Sequence, residues 1–341
     1  MTRLTIKDLA KLSGYSLGTV SRVLNNQPNV SEQARKTILA LVEAHGFERN
    51  ASAQLLKQQR TKSVLIVVKG TSNEMFAAMV EKLQSLFADT DHPVIADFID
   101  EDDNEVRRAA QLCRERKPSG VLFLGGNNEN FRGDFGRIDV PSVVVTNDAR
   151  ELGFPNLSSV STDDCKGAAC AVEHLLSCGH RDIIVLGGDR AISDTSAKRY
   201  EGCVEAFRKN GLTFDDETMY YTGRYSYEFG YNGMKQVLRE RKKLTAVFAM
   251  ADVIAIGAIR ALFDEGLRVP EDISVAGYDG LRIGGYFVPK LTTIAQSVDL
   301  LAERSFDLLL SCMQGAQAQH LTVPFRLLTR QSVRQITEIE G

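Results

Sequence analysis

Apolar residues recur at helical spacing near the start of the chain and predict three short helices. The first helix begins after Thr5 and stops at Gly14. Ser16 is a good N-cap for the second helix, and the third starts after Ser31 and ends at Gly46. Two helices joined by so tight a turn, with the second beginning in small polar residues, are typical of a helix-turn-helix. The second helix of such a motif lies in the major groove of DNA.

A different pattern begins at Ser63, where short apolar runs alternate with amphipathic stretches. The predicted strands are Val64–Val68, Val94–Phe98, Gly120–Leu124, Ser142–Val145, Ile183–Leu186, Ala246–Met250 and Ile273–Ala276. The predicted helices between them include Glu74–Phe87, Asn104–Arg116, Lys166–Leu176, Ala197–Lys209, Tyr227–Arg239 and Ile254–Asp264. Strands that alternate with helices imply parallel sheets covered on both faces. So many repeats exceed one sheet, and we expect two α/β lobes.

Length and composition agree with this division into domains. The chain has 341 residues, of which 43% are hydrophobic and 25% charged, so two or three globular domains are expected and a disordered, collagenous or membrane-spanning protein is excluded. The first twelve residues already carry four charges, which leaves no room for a secretory signal. The six cysteines are scattered without a C-x-x-C pair, which favours a reducing compartment. We therefore expect a cytoplasmic protein without a membrane partner.

Charge separates the predicted helical head from the rest of the chain. Residues 1–60 carry nine basic and four acidic side chains, a net of +5, whereas the whole chain has a net charge of −3. The remainder is therefore at −8. A small basic head on an acidic body indicates that the two parts meet different partners, and that the head meets a polyanion.

The outer face of the second helix supplies chemistry suited to DNA. The side chains left on that face are those of Ser16, Leu17, Gly18, Thr19, Ser21, Arg22 and Asn25. Short hydroxyl groups and a helix N-terminus donate hydrogen bonds to phosphate oxygens, and Arg22 can present two donors to a guanine edge. A three-helix bundle of any function also needs a polar outer face, so the pattern alone favours DNA binding without deciding it.

The run TIKDLAKLSGYSLGTVSRVLNNQPNVSEQARKTILALVEAHGFERNASAQLL resembles the DNA-binding head of the lactose/galactose repressor (LacI/GalR) family. The shared signature is T-V-S-R-V-L-N, then a V-S-x-x-x-R helix and an N-x-x-A-x-x-L hinge. The resemblance implies binding to a pseudo-palindromic operator in double-stranded DNA by a homodimer. It implies that Thr5, Ser31 and Asn50 join the contact. It also implies that Leu17 and Gly18 choose the operator, and neither side chain indicates a preferred sequence.

Residues 50–62 join the head to the body and lack glycine and proline. About seven residues of fair helix formers are too short to hold a helix alone in water. The family's hinge is similar, and the resemblance implies that it folds on DNA and that Leu56 wedges into a minor-groove step. The alternative is that Leu55 and Leu56 only cap the core of the head.

Later segments resemble the same family and the bacterial periplasmic sugar-binding proteins. They are EHLLSCGHRDIIVLGG, SAKRYEGCVEAF, GLRVPEDISVAGYDG and PKLTTIAQ. The resemblance implies a chain that crosses between two lobes three times, near Ser159–Ser161, Gln296–Val298 and Val323–Pro324. The implied domains are a helix-turn-helix at 1–49, a hinge at 50–62, an N-subdomain at 63–160 plus 297–323, and a C-subdomain at 161–296 plus 324–341.

Several residues at strand ends are candidates for effector binding, because ligands of open α/β lobes bind beyond the carboxyl ends of strands. Asp279 follows one strand, and its carboxylate could accept two hydroxyl hydrogen bonds. The resemblance extends the effector set to Phe76, Thr146, Asn147, Arg199, Tyr225 and Gln296. Phe76 and Tyr225 have an alternative as core aromatics, and Asp279 and Arg199 as surface charges.

The identity of the effector stays open. Ala251-Asp252 stands where sugar-binding members often have Asn-Asp, which removes an amide that often contacts the ligand. We expect a sugar or sugar derivative acting on a transcriptional repressor, and the alternatives are a purine or a phosphorylated partner protein. A solute-binding protein would be a different class of function.

No catalytic pattern stands out in the sequence, and we predict neither enzyme activity nor a cofactor. The pairs Gly125-Gly126 and Gly187-Gly188 follow strands but extend to no nucleotide-binding motif, so the pattern does not favour the alternative of a dehydrogenase-like enzyme. His174, Cys178 and His180 are close in sequence, yet the end of a helix explains them better than a zinc site does. No metal is predicted.

Overall fold

The computed structural model describes residues 6–24, 30–44, 61–71, 73–241 and 243–336. The chain divides into two compact units, residues 1–59 and residues 60–341. The predicted hinge lies almost wholly outside the described residues, as do Thr5, Asn25, Asn50 and Leu56. Leu17 and Ser21 lie in a described helix, without a described side chain.

The first unit contains the three predicted helices, α1 (Ile6–Ser13), α2 (Leu17–Leu24) and α3 (Glu32–Ala44). A small core holds them together, made of Leu9, Val20, Val23 and Ile38. The predicted N-caps are present, because the side-chain oxygens of Ser16 and Ser31 accept hydrogen bonds from the backbone N–H groups of Thr19 at 3.2 Å and Ala34 at 3.3 Å.

The second unit contains two six-stranded sheets with helices on both faces. In the first sheet the order is β11-β5-β4-β3-β1-β2, and all strands are parallel. These strands are β1 (Val64–Lys69), β2 (Val94–Ile99), β3 (Gly120–Leu124), β4 (Ser142–Val145), β5 (Leu157–Thr162) and β11 (His320–Val323). The first sheet forms the core of what we call the first lobe.

The second sheet forms the core of the second lobe. Its order is β12-β10-β9-β8-β6-β7, with only the β10–β12 pair antiparallel. The strands are β6 (Ile183–Gly187), β7 (Tyr220–Thr222), β8 (Ala246–Ala249), β9 (Ser274–Asp279), β10 (Thr292–Gln296) and β12 (Phe325–Leu328). The two sheets confirm the predicted architecture of two α/β lobes.

Helices cover both faces of each sheet. The first lobe has α4 (Glu74–Ala88), α5 (Glu105–Arg116), α6 (Asn128–Asp134) and α12 (Val298–Met313). The second lobe has α7 (Asp164–Ser177), α8 (Asp194–Lys209), the single turn α9 (Asp216–Met219), α10 (Tyr227–Glu240) and α11 (Asp252–Asp264). Short 3₁₀ turns lie at Phe135–Arg137, Arg150–Leu152 and Arg282–Gly285. Because both faces are covered, central strands are almost wholly apolar, as β1 is from Val64 to Val68, and this explains why their runs are visible in the sequence.

Five strands, β5, β7, β10, β11 and β12, are not anticipated by the hydrophobic pattern. The strand β5 is the clearest case, because it is rich in serine and threonine and yet buried along its whole length. Two of its hydroxyl groups have partners near the neighbouring strand: the Oγ of Ser158 accepts from the backbone N–H of Gln319 at 3.1 Å, and that of Ser159 lies 2.8 Å from Nδ1 of His320. Paired hydroxyls allow a polar sequence to form a buried strand.

The chain passes between the two sheets three times. It leaves the first sheet after Thr162, returns to the first lobe between Gln296 and Val298, and crosses again between β11 and β12. These places lie at or within two residues of the crossings expected from the sequence. The three connecting segments join the lobes at one edge of each sheet and leave a cleft between the lobes.

Candidate functional site

The cleft between the lobes contains a cavity of about 400 Å³. Its walls are made by the segments that follow the carboxyl ends of strands, as expected for open α/β lobes. Six of the seven predicted effector residues line it: Phe76, Thr146, Asn147, Arg199, Tyr225 and Asp279. The structure thus brings together, at one place, residues that are as much as 203 positions apart in the sequence, from Phe76 to Asp279.

Gln296 lies behind the cavity, where it holds Asp279. Its Nε2 donates to Oδ1 of Asp279 at 2.9 Å, and Gln296 is buried. Asp279 itself has φ of 109°, a strained backbone conformation for a residue with a side chain, at the last residue of β9. Burial raises the pKa of Asp279 to about 6, although Arg199 and the Gln296 hydrogen bond oppose that rise. At neutral pH the carboxylate is ionised and faces the cavity.

Arg199 connects three groups of the second lobe. Its Nε donates to Oδ1 of Asp164 at 2.7 Å, and a terminal nitrogen lies 3.7 Å from Oδ1 of Asp279. The guanidinium also stacks 3.8 Å above the ring of Tyr278. Only 4% of the side chain is exposed, so the charge depends on these partners. Arg199 therefore fixes the floor of the cavity.

Two aromatic side chains form apolar surfaces in the cavity. Phe76 belongs to the core of the first lobe and also lines the cavity. It is therefore a core aromatic residue and, at the same time, a candidate for effector binding. Its ring lies where a side chain on Gly125 would clash, since a Cβ there would approach the ring to 2.9 Å. Tyr225 comes from the second lobe and its hydroxyl lies 2.9 Å from Oγ of Ser196. Flat apolar faces opposite hydrogen-bonding groups suit a ring with hydroxyls at its edge.

Thr146 and Asn147 shape the first-lobe wall. Thr146 has φ of 80°, and both residues are buried. The Nδ2 of Asn147 donates to the carbonyl oxygen of Gly126 at 2.9 Å, so this amide holds the loop after β3 in place. Ala251 does not line the cavity, and beside it Asp252 is buried, with its oxygens bonded to Thr293 and to the backbone of Leu281, each at 2.6 Å.

Sequence reasoning did not identify several polar residues of the cavity. They are Lys69, Asn73, Glu101, Asp102, Asp189, Ser193, Thr195 and Arg224. Most of them follow the end of a strand or begin a helix, so extending the strand-end rule to every predicted strand would find Lys69, Glu101 and Asp189. Arg224 follows β7, which is only three residues long and has no clear pattern.

The mouth of the cleft is bridged by contacts between the lobes. From the second lobe, Arg224 donates to Oδ1 of Asp100 at 2.5 Å and to Oδ2 of Asp102 at 2.6 Å, and it also pairs with Glu101. We call this group the clasp.

Other contacts also join the two lobes, and near the clasp Tyr227 donates to Glu74. On the other side the backbone N–H of Asn128 donates to Asp194 at 2.6 Å, and Nδ2 of Asn127 to the carbonyl of Ile192 at 2.8 Å. The lobes are thus in a closed arrangement.

The candidate DNA surface in the first unit is exposed where it is described. Gly18 and Arg22 are exposed on α2, and Thr19 is half-buried with its hydroxyl 2.9 Å from that of Ser16. Ser16 and Ser31 both serve as N-caps, in which each hydroxyl oxygen accepts a backbone hydrogen bond. The start of α2 therefore offers donors suited to phosphate oxygens.

Two segments of the chain match known protein families. Residues 5–50 match "Bacterial regulatory proteins, lacI family", and residues 172–333 match "Periplasmic binding protein-like domain". The chain is 33% identical over 338 residues to the HTH-type transcriptional regulator MalR of Clostridium butyricum, an alignment that covers 96% of this chain and 99% of that protein. The chain belongs to the lacI family.

Two solved structures of regulatory proteins share this architecture. The transcriptional regulator CelR in complex with cellobiose matches with a TM-score of 0.69 and 26% identity, over 97% of this chain and 100% of that one. The lac repressor dimer bound to operator and the anti-inducer ONPF matches with a TM-score of 0.71 and 25% identity, over 98% and 100%. These matches confirm both the predicted family and the predicted fold of this lacI-family chain.

Within the described ranges, no three side chains among His, Cys, Asp and Glu are arranged to hold a metal ion, and His180 instead contacts the carbonyl of Arg334 at 3.1 Å. In the same ranges no helix is long and apolar enough to span a membrane.

Proposed function

We propose that this lacI-family chain is a transcriptional repressor whose affinity for its operator is set by a small molecule bound between the two lobes. One observation carries the proposal: six residues expected to bind an effector converge on a single cavity, in a chain that also has a helix-turn-helix head. The effector in this proposal is a sugar or sugar derivative.

The floor of the cavity supports a polyol as the ligand. Asp279 offers carboxylate oxygens that can accept hydrogen bonds from two neighbouring hydroxyls, and Gln296 and Arg199 hold it in position. Phe76 and Tyr225 offer the apolar surfaces on which the less polar faces of a sugar ring pack. CelR, which shares this architecture, is named as a complex with cellobiose.

The head, in our proposal, reads one half of a pseudo-palindromic operator in double-stranded DNA, and a homodimer reads both halves. The proposed contacts include four side chains that the structure describes, those of Ser16, Thr19, Arg22 and Ser31. The sequence adds seven further residues to the proposed contact: Thr5, Leu17, Gly18, Ser21, Asn25, Asn50 and Leu56. The lac repressor of similar fold is named as a dimer bound to operator.

Coupling between the two sites would come from closure of the cleft. An effector that contacts both walls favours the closed arrangement, in which contacts such as the clasp form. A preference of about 1–3 kcal/mol for one arrangement changes operator affinity by roughly 5- to 150-fold. An effector that makes a few more hydrogen bonds in the closed arrangement than in the open one is therefore enough to control repression.

Selection of binding sites from a random duplex pool tests the DNA part of this proposal with the full chain. We expect enrichment of a pseudo-palindrome, and an affinity for it that falls steeply as salt rises because phosphate contacts release counterions. A solute-binding protein would bind sugars and enrich no duplex. Either no enrichment or an affinity independent of salt would contradict the proposal.

Substitution of Arg22 tests which residue reads the bases. Arg22→Ala should weaken binding to the selected operator by about 1–3 kcal/mol while changing binding to random DNA less. The matched control is Lys36→Ala, which removes one exposed positive charge from α3. The control should leave the ratio of specific to nonspecific affinity unchanged in a fluorescence anisotropy titration.

A further inference from the structure

The charges around the cavity indicate which class of effector it accepts. We propose that the cleft selects an uncharged effector and rejects anionic ones, such as sugar phosphates and uronates. This inference rests on the proposed effector control and narrows it to one charge class. Its basis is the pairing of every cationic side chain that lines the cavity.

Lys69 is the first of these cations, and it is committed to the first lobe. Its Nζ lies 2.6 Å from Oε2 of Glu105 and donates to the carbonyl oxygen of Asp103 at 2.8 Å. Glu105 is almost fully buried, with 1% of its side chain exposed. Removing Lys69 from this carboxylate to bind a ligand would leave a buried charge without compensation. The charge of Lys69 is therefore already balanced by Glu105 before any ligand binds.

Arg199 is the second cation and is held in the same way in the second lobe. It donates to Asp164 at 2.7 Å and to the carbonyl of Met250, and Asp279 lies at 3.7 Å. Two carboxylates thus share one guanidinium. An anionic group placed near Arg199 would also meet Asp279, which lines the cavity itself and is ionised above pH 6.

Arg224 is the third cation and the most exposed, so it is the one an anionic ligand would recruit. Three consecutive acids, Asp100, Glu101 and Asp102, surround its guanidinium in the clasp. Two of these acids, Glu101 and Asp102, also line the cavity. A single positive charge cannot neutralise three negative ones, so the mouth of the cleft retains negative charge.

The net charge of the side chains around the cavity is negative and repels anions. The cavity is lined by three cations and by four acids, Glu101, Asp102, Asp189 and Asp279, while Asp100, Glu105 and Asp164 stand directly behind the cations. The largely buried charge of Asp279 is screened less than a charge on an open surface. An uncharged polyol avoids this repulsion and still finds the acceptors that its hydroxyls need.

Calorimetric titration of the full chain with matched pairs of probes tests the inference. The pairs are glucose and glucose 6-phosphate, galactose and galacturonate, and ribose and ribose 5-phosphate, with maltose, cellobiose and hypoxanthine as further neutral probes. We expect at least one neutral probe to bind, and each anionic partner to bind at least about tenfold more weakly than the neutral member of its pair. An anionic probe that binds more tightly than its neutral partner would overturn the inference and leave effector control standing.

A variant that releases Arg224 gives a second readout. In Asp100→Asn/Glu101→Gln/Asp102→Asn the guanidinium loses all three carboxylates, and we expect the preference for neutral over anionic probes to shrink at least about tenfold. The matched control is Asp264→Asn/Glu265→Gln/Glu271→Gln, which changes the net charge equally on surface that does not line the cavity. An equal change in both variants would mean that net charge alone acts, and would overturn the role of the clasp.

The failure of the proposed function looks different from the failure of this inference. If no probe of either charge class binds, and operator affinity responds to none of them, effector control itself is wrong and the inference falls with it. If probes bind and release the operator, but the anionic probe of a pair binds more tightly than the neutral one, only the proposed charge class is wrong.

Discussion

The two walls of the cleft are built in different ways. The second-lobe wall rests on a buried network in which Arg199, Asp164 and Asp279 have side chains exposed by only 4%, 8% and 12%. The charges at the rim of the first-lobe wall are open to solvent, with Glu101 at 33% and Asp102 at 67%. Buried charges keep their geometry because any departure from it is costly, whereas exposed charges move at little cost. The second lobe is thus suited to recognise a ligand and the first to close over it.

The largest effect should follow from breaking the buried wall. Arg199→Met removes the guanidinium and leaves Asp164 and Asp279 facing each other without a counter-charge, so we expect the free energy of unfolding to fall by about 3–5 kcal/mol. Urea denaturation of the full chain, followed by circular dichroism, measures this loss.

The matched control for Arg199 is an exposed arginine of the same lobe. Arg260 pairs with Asp264 one helical turn away, and 62% of its side chain is exposed. Arg260→Met should change stability by less than about 0.5 kcal/mol. Equal losses in the two variants would contradict the contrast between buried and exposed charges.

The next effect concerns pH and the raised pKa of Asp279. An effector whose hydroxyls donate to this carboxylate needs it ionised, and the pKa is about 6. We therefore expect affinity for a sugar effector to be constant above pH 7 and about tenfold lower at pH 5, where most of the carboxyl is protonated. Calorimetry at the two pH values measures the change.

The same titration affects stability with a defined sign. Because the pKa is higher in the folded than in the unfolded chain, the folded state holds this proton more tightly, and its contribution to the free energy of unfolding decreases as pH rises from about 4 to about 6. Asp279→Asn should remove this contribution and flatten the pH dependence of binding. Persistence of the tenfold change in the variant would assign it to another group.

The smallest effect should come from the exposed wall. Arg224→Gln removes the cation of the clasp, and because these ion pairs are exposed we expect effector affinity to fall only about two- to fivefold. The difference from the unaltered chain should disappear at 1 M salt, where such pairs are screened. Titrations in low and high salt check both statements, and a loss as large as that from the buried wall would refute the proposed division between the walls.

The sequence predicted the fold where burial makes a pattern visible. Strands β1, β3, β4, β6 and β8 are apolar and buried on both faces, and their predicted bounds agree with the structure to within a residue. The strand β5 escaped prediction because four of its six buried positions are serine or threonine. Two of these, Ser158 and Ser159, pair with groups at or just before β11, about 160 residues later. No local pattern records a partner so distant.

The candidate site divides along the same physical line. Asp279 was predicted because it follows a clear strand, and Arg199 because its sequence resembles a family motif. Arg224 was not, because its role depends on three acids that lie in the other lobe and come more than 120 residues earlier. Gln296 was assigned to the effector, and the structure places it behind Asp279 as a support.

The late pairing of β11 with β5 also determines how the chain can be assembled during its synthesis. His320 lies beside Ser159, so the first sheet keeps an unpaired edge while more than 150 further residues are added, including most of the second lobe. Neither lobe can be finished before the other is nearly complete, because the second sheet likewise waits for β12. A chain released before β11 and β12 have been made would therefore expose β5 and β10 as open sheet edges. Such edges are surfaces on which chains associate wrongly.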